Sequence, residues 1–292
     1  MLSAKARPKD ASRRHILAGG LATAALKFPT IVRAARPVLF GLTPVFLDSD
    51  IQLIADLERY LSRHIGRPVQ LVKRRTYQEI TSLLVANQLD AAWICGFPFV
   101  QNREHLRLVA VPLYRRAPLY RAYIVTRAGR ESETIHALRG DIHAFSDPDS
   151  NSGFLATRSL LAGLRESPST FFARTFFTFG HRNVIRAVAS GLAHSGSVDG
   201  YVWDVMREIE PALVLGTRIQ HISDPMGFPP VAAARGVDPV LRSAIAAALI
   251  SMPDDPNGRA ILSMLRLDGF VAGESSLFDS IAEHWKRVQE LG

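Results

Sequence analysis

Alternating strand-like and helix-like segments over residues 38–95 constrain the fold more than any other feature of this sequence. Apolar runs of strand length lie at residues 38–42, 69–72 and 91–95. Between them, apolar residues recur on one helical face after Ser49-Asp50 and again after Thr76, which are good helix caps. The third run is almost continuously apolar, which is typical of a strand buried in a parallel sheet. The strand–helix–strand–helix–strand order therefore predicts a doubly wound, mainly parallel sheet.

Aromatic residues follow two of these strands at the end where ligands bind in such sheets. Phe46 follows the first strand, and Phe99 lies in Gly96-Phe97-Pro98-Phe99 after the third. These rings either pack in the core or form a wall of a ligand cleft, and the pattern alone favours neither.

The rest of the chain predicts a second group of α/β elements. Strands are indicated at residues 108–112, 120–126, 197–203, 219–222 and 231–234, and helices at 154–164, 183–192, 239–252, 260–265 and 276–291. The chain passes between the two groups near residues 119–123 and again near residues 223–228. We therefore expect two α/β lobes on a two-crossing hinge, with residues 37–118 plus 225–292 in one and 119–224 in the other.

A polar turn at residues 145–155 joins a strand to a helix and is a candidate anion site. It contains Asp147-Pro148-Asp149-Ser150-Asn151-Ser152-Gly153-Phe154. A helix N-terminus presents unsatisfied N–H groups and partial positive charge, so together with the hydroxyls of Ser150 and Ser152 it suits a small oxyanion. On this segment alone, a plain helix cap eased by Gly153 is the alternative.

The same turn resembles the D-P-x-S-x-S-G-[FY] loop of PhnD-type solute-binding proteins, which serve ABC transporters for phosphate, phosphite and phosphonates. Further segments resemble that family in order and spacing, namely Gly41-Leu42-Thr43-Pro44, Gln88-Leu89-Asp90-Ala91-Ala92-Trp93, the surroundings of Tyr120, Gly180-His181 and residues 188–199. The resemblance covers most of residues 37–265. It implies a type II periplasmic binding protein, with two lobes that close on the ligand.

The resemblance also implies which residues bind the ligand. The loop residues Ser150, Asn151, Ser152 and Gly153 would hold the phosphoryl oxygens, and Tyr120 and His181 would complete the oxygen shell. Asn151 stands where the family usually has Thr or Ser, but its amide can still donate. Phe46 and Phe99 would shape the opposite wall of the cleft.

The far end of the implied pocket differs from that of relatives that bind aminoethylphosphonate. Those relatives hold the ligand amine with two acidic residues, whereas Tyr201 and the region of Pro229 stand at the corresponding positions here. An ammonium buried without a counter-charge is costly. The resemblance therefore implies a ligand without an amine, with Tyr201 in the pocket.

The basic charge of the chain is concentrated in its first 35 residues. They contain seven of the 35 Lys and Arg residues and one of the 27 acidic residues, which leaves 28 basic and 26 acidic residues beyond them. Ser12-Arg13-Arg14, followed by a modest apolar stretch at residues 16–26, resembles a twin-arginine export signal with cleavage near Ala34-Ala35. A retained N-terminal anchor is the alternative. The near-neutral remainder argues against nucleic-acid binding.

The sequence contains none of the common catalytic motifs. It has no P-loop, H-E-x-x-H, G-x-S-x-G or metal-spaced Cys/His cluster, and Cys95 is its single cysteine. Together with this absence, the resemblance to PhnD-type proteins implies a periplasmic, monomeric binding protein, not an enzyme, that needs no cofactor or metal and delivers a small oxyanion to an ABC permease in the inner membrane. A sensor that presents the anion to a membrane kinase is the alternative, and an enzyme on the same fold is a weaker one.

Overall fold

Two β-sheets and a two-stranded ribbon form the framework of the computed structural model, which describes residues 36–43, 51–131 and 134–291. The strands are β1 (Val38–Leu42), β2 (Val69–Lys73), β3 (Ala91–Trp93), β4 (Leu106–Leu113), β5 (Leu119–Tyr120), β6 (Ala122–Arg127), β7 (Ile142–Phe145), β8 (Arg174–Phe177), β9 (Ser195–Asp199), β10 (Thr217–Ile222), β11 (Met226–Gly227), β12 (Val231–Ala234) and β13 (Gly269–Val271).

The helices alternate with these strands along the chain. They are α1 (Ile51–Ile65), α2 (Tyr77–Val85), α3 (Gly96–Gln101), α4 (Ala156–Gly163), α5 (Pro168–Phe171), α6 (His181–Ala189), α7 (Gly200–Ile209), α8 (Pro211–Val214), α9 (Pro239–Ile250), α10 (Pro256–Leu265) and α11 (Asp279–Leu291). Short 3-10 turns lie at Ile135–Leu138, Met252–Asp254 and Ser275–Phe278, and a π-helical turn lies at Asn151–Leu155.

The first lobe is built on the six-stranded sheet, whose order is β13-β4-β12-β3-β1-β2. β1 pairs in parallel with both β2 and β3, as the strand–helix order predicts. β12 lies antiparallel between β3 and β4, so β4 runs in the same direction as β1, β2 and β3. Helix α1 packs on α9, where the buried hydroxyl of Tyr60 donates to the carbonyl oxygen of Ala248 at 2.8 Å.

The second lobe is built on the five-stranded sheet, whose order is β10-β6-β9-β7-β8. β7 pairs in parallel with β8 and β9, and β6 lies antiparallel between β9 and β10. Between the two sheets, β5 and β11 pair antiparallel. The predicted two-lobed α/β fold with mainly parallel sheets is confirmed, and β6, β12 and β13 are the strands that run against the majority.

The C-terminal helix α11 contacts both lobes. It lies against α3 of the first lobe and α4 of the second. On one side the Trp285 ring packs on Phe97, with 5.0 Å between the ring centroids, and on the other Arg287 donates to the Ser159 hydroxyl at 3.2 Å. This helix therefore ties the two lobes together.

Two segments differ from their predicted conformation. Residues 96–101, for which the sequence analysis predicted no helix, form α3, which begins after Cys95. The strand predicted over residues 197–203 ends at Asp199, because the Asp199 carboxylate accepts hydrogen bonds from the amides of Tyr201 at 2.9 Å and Val202 at 3.3 Å. An aspartate cap of this kind starts α7 and overrides the strand propensity of Tyr201-Val202-Trp203.

Some sequence predictions fall outside the described residues. These are the export signal with Arg13-Arg14, its cleavage near Ala34-Ala35, and the helix cap Ser49-Asp50. Within the ranges given above, no helix combines the length and the apolar character that crossing a membrane requires.

His143 is a fully buried histidine in the sheet of the second lobe. Its Nδ1 lies 2.8 Å from the Ser195 hydroxyl and its Nε2 lies 2.8 Å from the Ser197 hydroxyl. The ring stacks on Phe172 with 4.2 Å between centroids. Burial lowers the pKa of His143 to about 3, so the ring is neutral in the folded protein.

Acid should therefore destabilise the second lobe through His143. Its pKa rises from about 3 in the folded protein to about 6.5 on unfolding, so between these pH values the unfolded state binds more protons. The free energy of unfolding should fall by about 1.4 kcal/mol per pH unit for this group as the pH decreases through that window. We expect urea unfolding from pH 7 to 4 to show a shallower decline for His143→Gln, with the exposed His136→Gln as control. An unchanged slope in His143→Gln would contradict this account.

Candidate functional site

The predicted anion loop follows the carboxyl end of β7 in the second sheet. Hydrogen bonds from its own side chains fix its conformation. The Asp147 carboxylate accepts from the Asp149 amide at 2.8 Å, and the Ser150 hydroxyl accepts from the Gly153 amide at 3.0 Å. The Leu155 amide donates to the Ser150 carbonyl at 3.0 Å, which makes the first turn π-helical. No hydrogen bond with another described residue engages the Ser152 amide, so this N–H is free to bind an anion.

The polar side chains of this loop meet groups from both lobes in the interior. The Asn151 Nδ2 donates to the Tyr120 hydroxyl at 2.9 Å, and the Asn151 amide donates to the Cys95 Sγ at 3.2 Å. The Ser152 hydroxyl donates to the Asp199 carboxylate at 3.5 Å. All of these residues are buried. Because the Tyr120 oxygen accepts from Asn151, its own proton is left to donate.

His181 lies at the start of α6 and links the second lobe to the first. Its Nδ1 accepts from the Asp199 amide at 3.1 Å, and its Nε2 lies 3.2 Å from the Tyr77 hydroxyl. Since Nδ1 is an acceptor, the neutral ring carries its proton on Nε2 and donates it to the Tyr77 oxygen. The Tyr77 proton is then free to donate to a ligand.

Tyr77 is a site residue that the sequence analysis missed. It is the first residue of α2, directly after Thr76, whose side chain forms a capping box with Glu79. Its amide donates to the Asp147 carboxylate of the anion loop at 3.3 Å. Its position just beyond the carboxyl end of β2 was the available signal, because ligands bind at that edge of the sheet.

The charges of the site are governed by its burial. Burial lowers the pKa of His181 to about 3, so the ring is neutral. Burial raises the pKa of Asp199 to about 7, although the amides of Val202 and Tyr201 and the Ser152 hydroxyl favour the carboxylate. Burial also raises the pKa of Asp147. The interior therefore holds neutral donors and carboxyl groups that take up protons readily.

Two buried polar atoms of the loop have no partner among the described residues. They are the Ser146 hydroxyl and the Asn151 Oδ1. Buried polar atoms are nearly always hydrogen-bonded in folded proteins, so unpaired ones indicate a place for a ligand or water. A search of the described ranges finds no group of His, Cys, Asp and Glu that could hold a metal ion. The polar groups of this site can therefore contact a ligand through hydrogen bonds.

Three other residues were predicted to line the cleft. The Phe99 ring packs edge-to-face on Phe278 at 4.9 Å, so it anchors the segment that leads into α11. The Tyr201 hydroxyl donates to the Leu265 carbonyl at 2.5 Å, and its ring lies 5.2 Å from Phe228, which in turn lies 5.6 Å from Tyr120. Phe46 lies outside the described residues. Tyr201 thus lies near Tyr120, because the Phe228 ring packs against both. Phe99 packs instead against the segment that precedes α11.

Cys95 is a free thiol of the first lobe that contacts the anion loop of the second lobe. It is free and buried, and burial raises its pKa to about 12. Its sulfur accepts from the Asn151 amide, as described above. A thiol with such a pKa is a poor nucleophile, which fits a structural contact.

Comparison with known families agrees with this geometry. The family described as "ABC transporter, phosphonate, periplasmic substrate-binding protein" matches residues 40–278, well over half of the sequence. The chain belongs to this family. The resemblance seen in the sequence is therefore confirmed, and the family is an extracytoplasmic one. Comparison with curated protein sequences finds no match.

Solved structures share the fold at low sequence identity. A binding protein component of an ABC phosphonate transporter from Pseudomonas aeruginosa has a TM-score of 0.80 at 15% identity, with 88% of each chain covered. PhnD1 from Prochlorococcus marinus, solved with methylphosphonate, has a TM-score of 0.78 at 16% identity, covering 86% of this chain and 98% of that one. A Xanthomonas citri protein solved bound to ATP has a TM-score of 0.71 at 17% identity, covering 88% and 98%. The fold is that of type II periplasmic binding proteins.

Little space surrounds Gly153, so a substitution there tests whether the loop needs its observed conformation. A Cβ at Gly153 would lie 1.8 Å from the Ser146 hydroxyl and 2.9 Å from the Ser150 hydroxyl, so the loop would have to move. We expect Gly153→Ala to lower the free energy of unfolding by about 1–3 kcal/mol, measured by urea unfolding. It should also weaken phosphonate binding.

Gly163 provides the matched control, because it ends the helix that follows this loop. A Cβ there would meet nothing within 4 Å. Gly163→Ala should therefore be neutral or stabilise the protein by up to about 1 kcal/mol. Equal effects of the two substitutions on stability and binding would show that the contact at Ser146 does not shape the loop.

Proposed function

We propose that this protein captures a small phosphoryl oxyanion outside the cytoplasm and delivers it to an ABC permease in the inner membrane. The candidate ligands are phosphate, phosphite and simple phosphonates. The observation that carries the proposal is the buried convergence of neutral donors from both lobes, in which Tyr77 contacts His181 and Tyr120 contacts Asn151 beside Ser152. Tetrahedral oxyanions are bound well by several N–H and O–H donors at a helix N-terminus.

Each donor has a place in the proposed complex. Ser152 offers its amide, while its hydroxyl proton stays on Asp199; Asn151 offers its side-chain amide, and Tyr77 and Tyr120 offer their hydroxyl protons. His181 acts on the ligand through Tyr77, whose oxygen it holds with the proton on Nε2. Ser150 and Gly153 position the loop, through the hydrogen bond from the Gly153 amide to the Ser150 hydroxyl.

The far end of the pocket is proposed to be apolar. Tyr201 uses its hydroxyl on Leu265, and the Pro229 carbonyl accepts from the Trp93 indole at 2.8 Å. Asp204, which lies beyond Tyr201 next to Tyr114, is paired with Arg115 at 2.9 Å. An ammonium at this end would lose its hydration without gaining a free carboxylate.

The arrangement around the ligand follows from the fold. We propose lobe boundaries at residues 37–118 plus 225–292 and at 119–224, because the six-stranded sheet draws its strands from the first set and the five-stranded sheet from the second. Closure of the lobes would bury the anion, since Tyr77 and Cys95 of the first lobe contact His181 and Asn151 of the second. We further propose that the protein acts as a monomer.

The donors should contribute to the affinity for every phosphoryl ligand. Tyr77→Phe removes a hydroxyl that a bound anionic oxygen would use, and Ser152→Ala removes the hydroxyl that holds the Ser152 amide in place through Asp199, so each should weaken binding about 10- to 100-fold. Calorimetric titration of the mature protein with phosphate, phosphite, methylphosphonate and aminoethylphosphonate measures this. Aminoethylphosphonate should bind most weakly, because its ammonium meets the apolar end of the pocket.

Tyr60→Phe is the control for these variants. It removes a buried tyrosine hydroxyl of the first lobe that bonds to Ala248, away from the proposed site, so it should leave all four affinities unchanged. A preference for aminoethylphosphonate would refute the apolar far end. Failure of all four ligands to bind would refute the proposed function.

Export should depend on Arg13 and Arg14. A twin-arginine signal tolerates replacement of both arginines by lysine poorly, so the Arg13→Lys/Arg14→Lys variant should remain in the cytoplasm with its leader uncleaved. Cell fractionation with mass measurement of the recovered protein detects both properties. Normal cleavage and periplasmic recovery would indicate export by the general secretory route instead.

A further inference from the structure

A large cavity opens at the junction of the two lobes, beside the proposed anion site. Its volume is about 1120 Å³. It is lined from the first lobe by Lys73, Arg74, Arg75, Thr76 and Glu79, and from the second by Thr178, Phe179 and Asn183. This volume slightly exceeds the roughly 300–1,000 Å³ that is usual for pockets that bind whole organic molecules. A small phosphoryl anion held in the interior does not account for it.

Residues that line the cavity are close in sequence to two of the buried donors. Thr76, on its first wall, directly precedes Tyr77, and Phe179, on its second wall, lies two residues before His181. The Tyr77 hydroxyl and the His181 Nε2 are 3.2 Å apart. The two segments that line the cavity therefore also carry this buried pair.

The first wall of the cavity carries an excess of positive charge, with three cationic side chains and one carboxylate. Lys73, Arg74 and Arg75 are exposed, and no salt bridge between described residues engages any of them. The single carboxylate of the lining, Glu79, already accepts hydrogen bonds from the amides of Arg75 and Thr76 and from the Thr76 hydroxyl. The Arg74 guanidinium donates to the Lys73 carbonyl at 2.8 Å, and none of the three cations is held in a salt bridge that would keep it from an anion in the cavity.

The second wall presents an aromatic ring in an unfavourable backbone conformation. Phe179 has a φ of 53°, in the left-handed region, and half of its surface is exposed. Its neighbours are fixed, since the Thr178 hydroxyl donates to the Gly180 carbonyl at 3.0 Å and the Asn183 amide group donates to the Thr178 carbonyl at 3.1 Å. Bulky residues rarely adopt this conformation, and strained residues of this kind cluster at ligand-binding sites.

We propose that this cavity is a second anion subsite, which recognises phosphoryl ligands that carry another negatively charged group on a short carbon chain. Phosphonocarboxylates are the simplest members of this class. The inference rests on the proposed function, because the phosphoryl group must first be held by the buried donors. The carboxylate would then reach the guanidinium groups of Arg74 and Arg75, whose planar forks suit bidentate binding of a carboxylate. Phe179 would cover the carbon chain.

Matched ligands separate the second charge from the chain that carries it. We would titrate the mature protein with phosphonocarboxylates of one to five methylene groups and with alkylphosphonates of the same lengths. At the length that spans the two sites, the phosphonocarboxylate should bind about 3- to 10-fold more tightly, as expected for a partly solvated ion pair. The preference should decrease at high salt.

Variants then assign the preference to the cavity. Arg74→Gln/Arg75→Gln should abolish the preference for the carboxylate and leave the affinity for alkylphosphonates within about two-fold, since these ligands do not use the guanidinium groups. The double variant Arg63→Gln/Lys286→Gln removes the same charge from exposed positions on α1 and α11 that do not line the cavity. It should retain the preference.

The outcomes distinguish this inference from the proposed function. Alkylphosphonates that bind as tightly as phosphonocarboxylates at every length would overturn the second subsite and leave the proposed function intact. An equal loss of preference in both double variants would attribute it to overall charge and would also overturn the subsite. If no phosphoryl ligand binds, the proposed function and this inference fail together.

Discussion

The organisation of the site depends on a chain of hydrogen bonds that crosses from one lobe to the other. The Asp199 amide donates to the His181 Nδ1, and the His181 Nε2 donates to the Tyr77 oxygen. Asp199 is itself fixed, because its carboxylate caps α7 and accepts from Ser152. The chain therefore sets the tautomer of His181, orients the Tyr77 proton and holds Ser152 in place. Loss of any one link would leave a buried polar group without a partner.

Among the described residues, the buried site contains no positively charged side chain. The buried polar residues of the described chain include no Lys or Arg, whereas Asp147 and Asp199 lie among the donors. An anion must then be stabilised by oriented dipoles, as at a helix N-terminus, and its charge would further raise the pKa of the nearby carboxyl groups. Such a site tolerates a partly protonated phosphoryl group, because the Asn151 Oδ1 remains available as an acceptor.

The sequence predicted local features of the fold and the site better than it predicted long-range ones. The anion loop could be located because Asp147, the two serines and Gly153 lie within a few residues, and the first sheet because its strand–helix order is sequential. Tyr77 was missed because its partner, His181, is 104 positions away, and its own neighbourhood reads as an ordinary capped helix. Tyr201 was placed in a strand because side-chain propensity was weighed above the cap that Asp199 supplies.

Phe99 shows a related limit. Its position after a strand is compatible with core packing or with a ligand wall, and in the structure its ring contacts Phe278, which lies next to the C-terminal helix. A sequence pattern locates the end of a strand, but it does not show which later segment will cover it. A single sequence therefore does not show whether a residue at the end of a strand is buried by a helix that comes much later in the chain.

Neutral donors in the interior have a further consequence for selectivity. Hydroxyl and amide groups that bind phosphoryl oxygens are common to every ligand of the class, so discrimination must come from the groups that meet the substituent. Near Tyr120 these are the rings of Tyr201 and Phe228, which would desolvate a charge without compensating it. Near Tyr77 they are the cations from Lys73 to Arg75, which remain in contact with water. If the protein binds phosphoryl ligands as proposed, the charge of the substituent would determine towards which of these two ends the ligand is oriented.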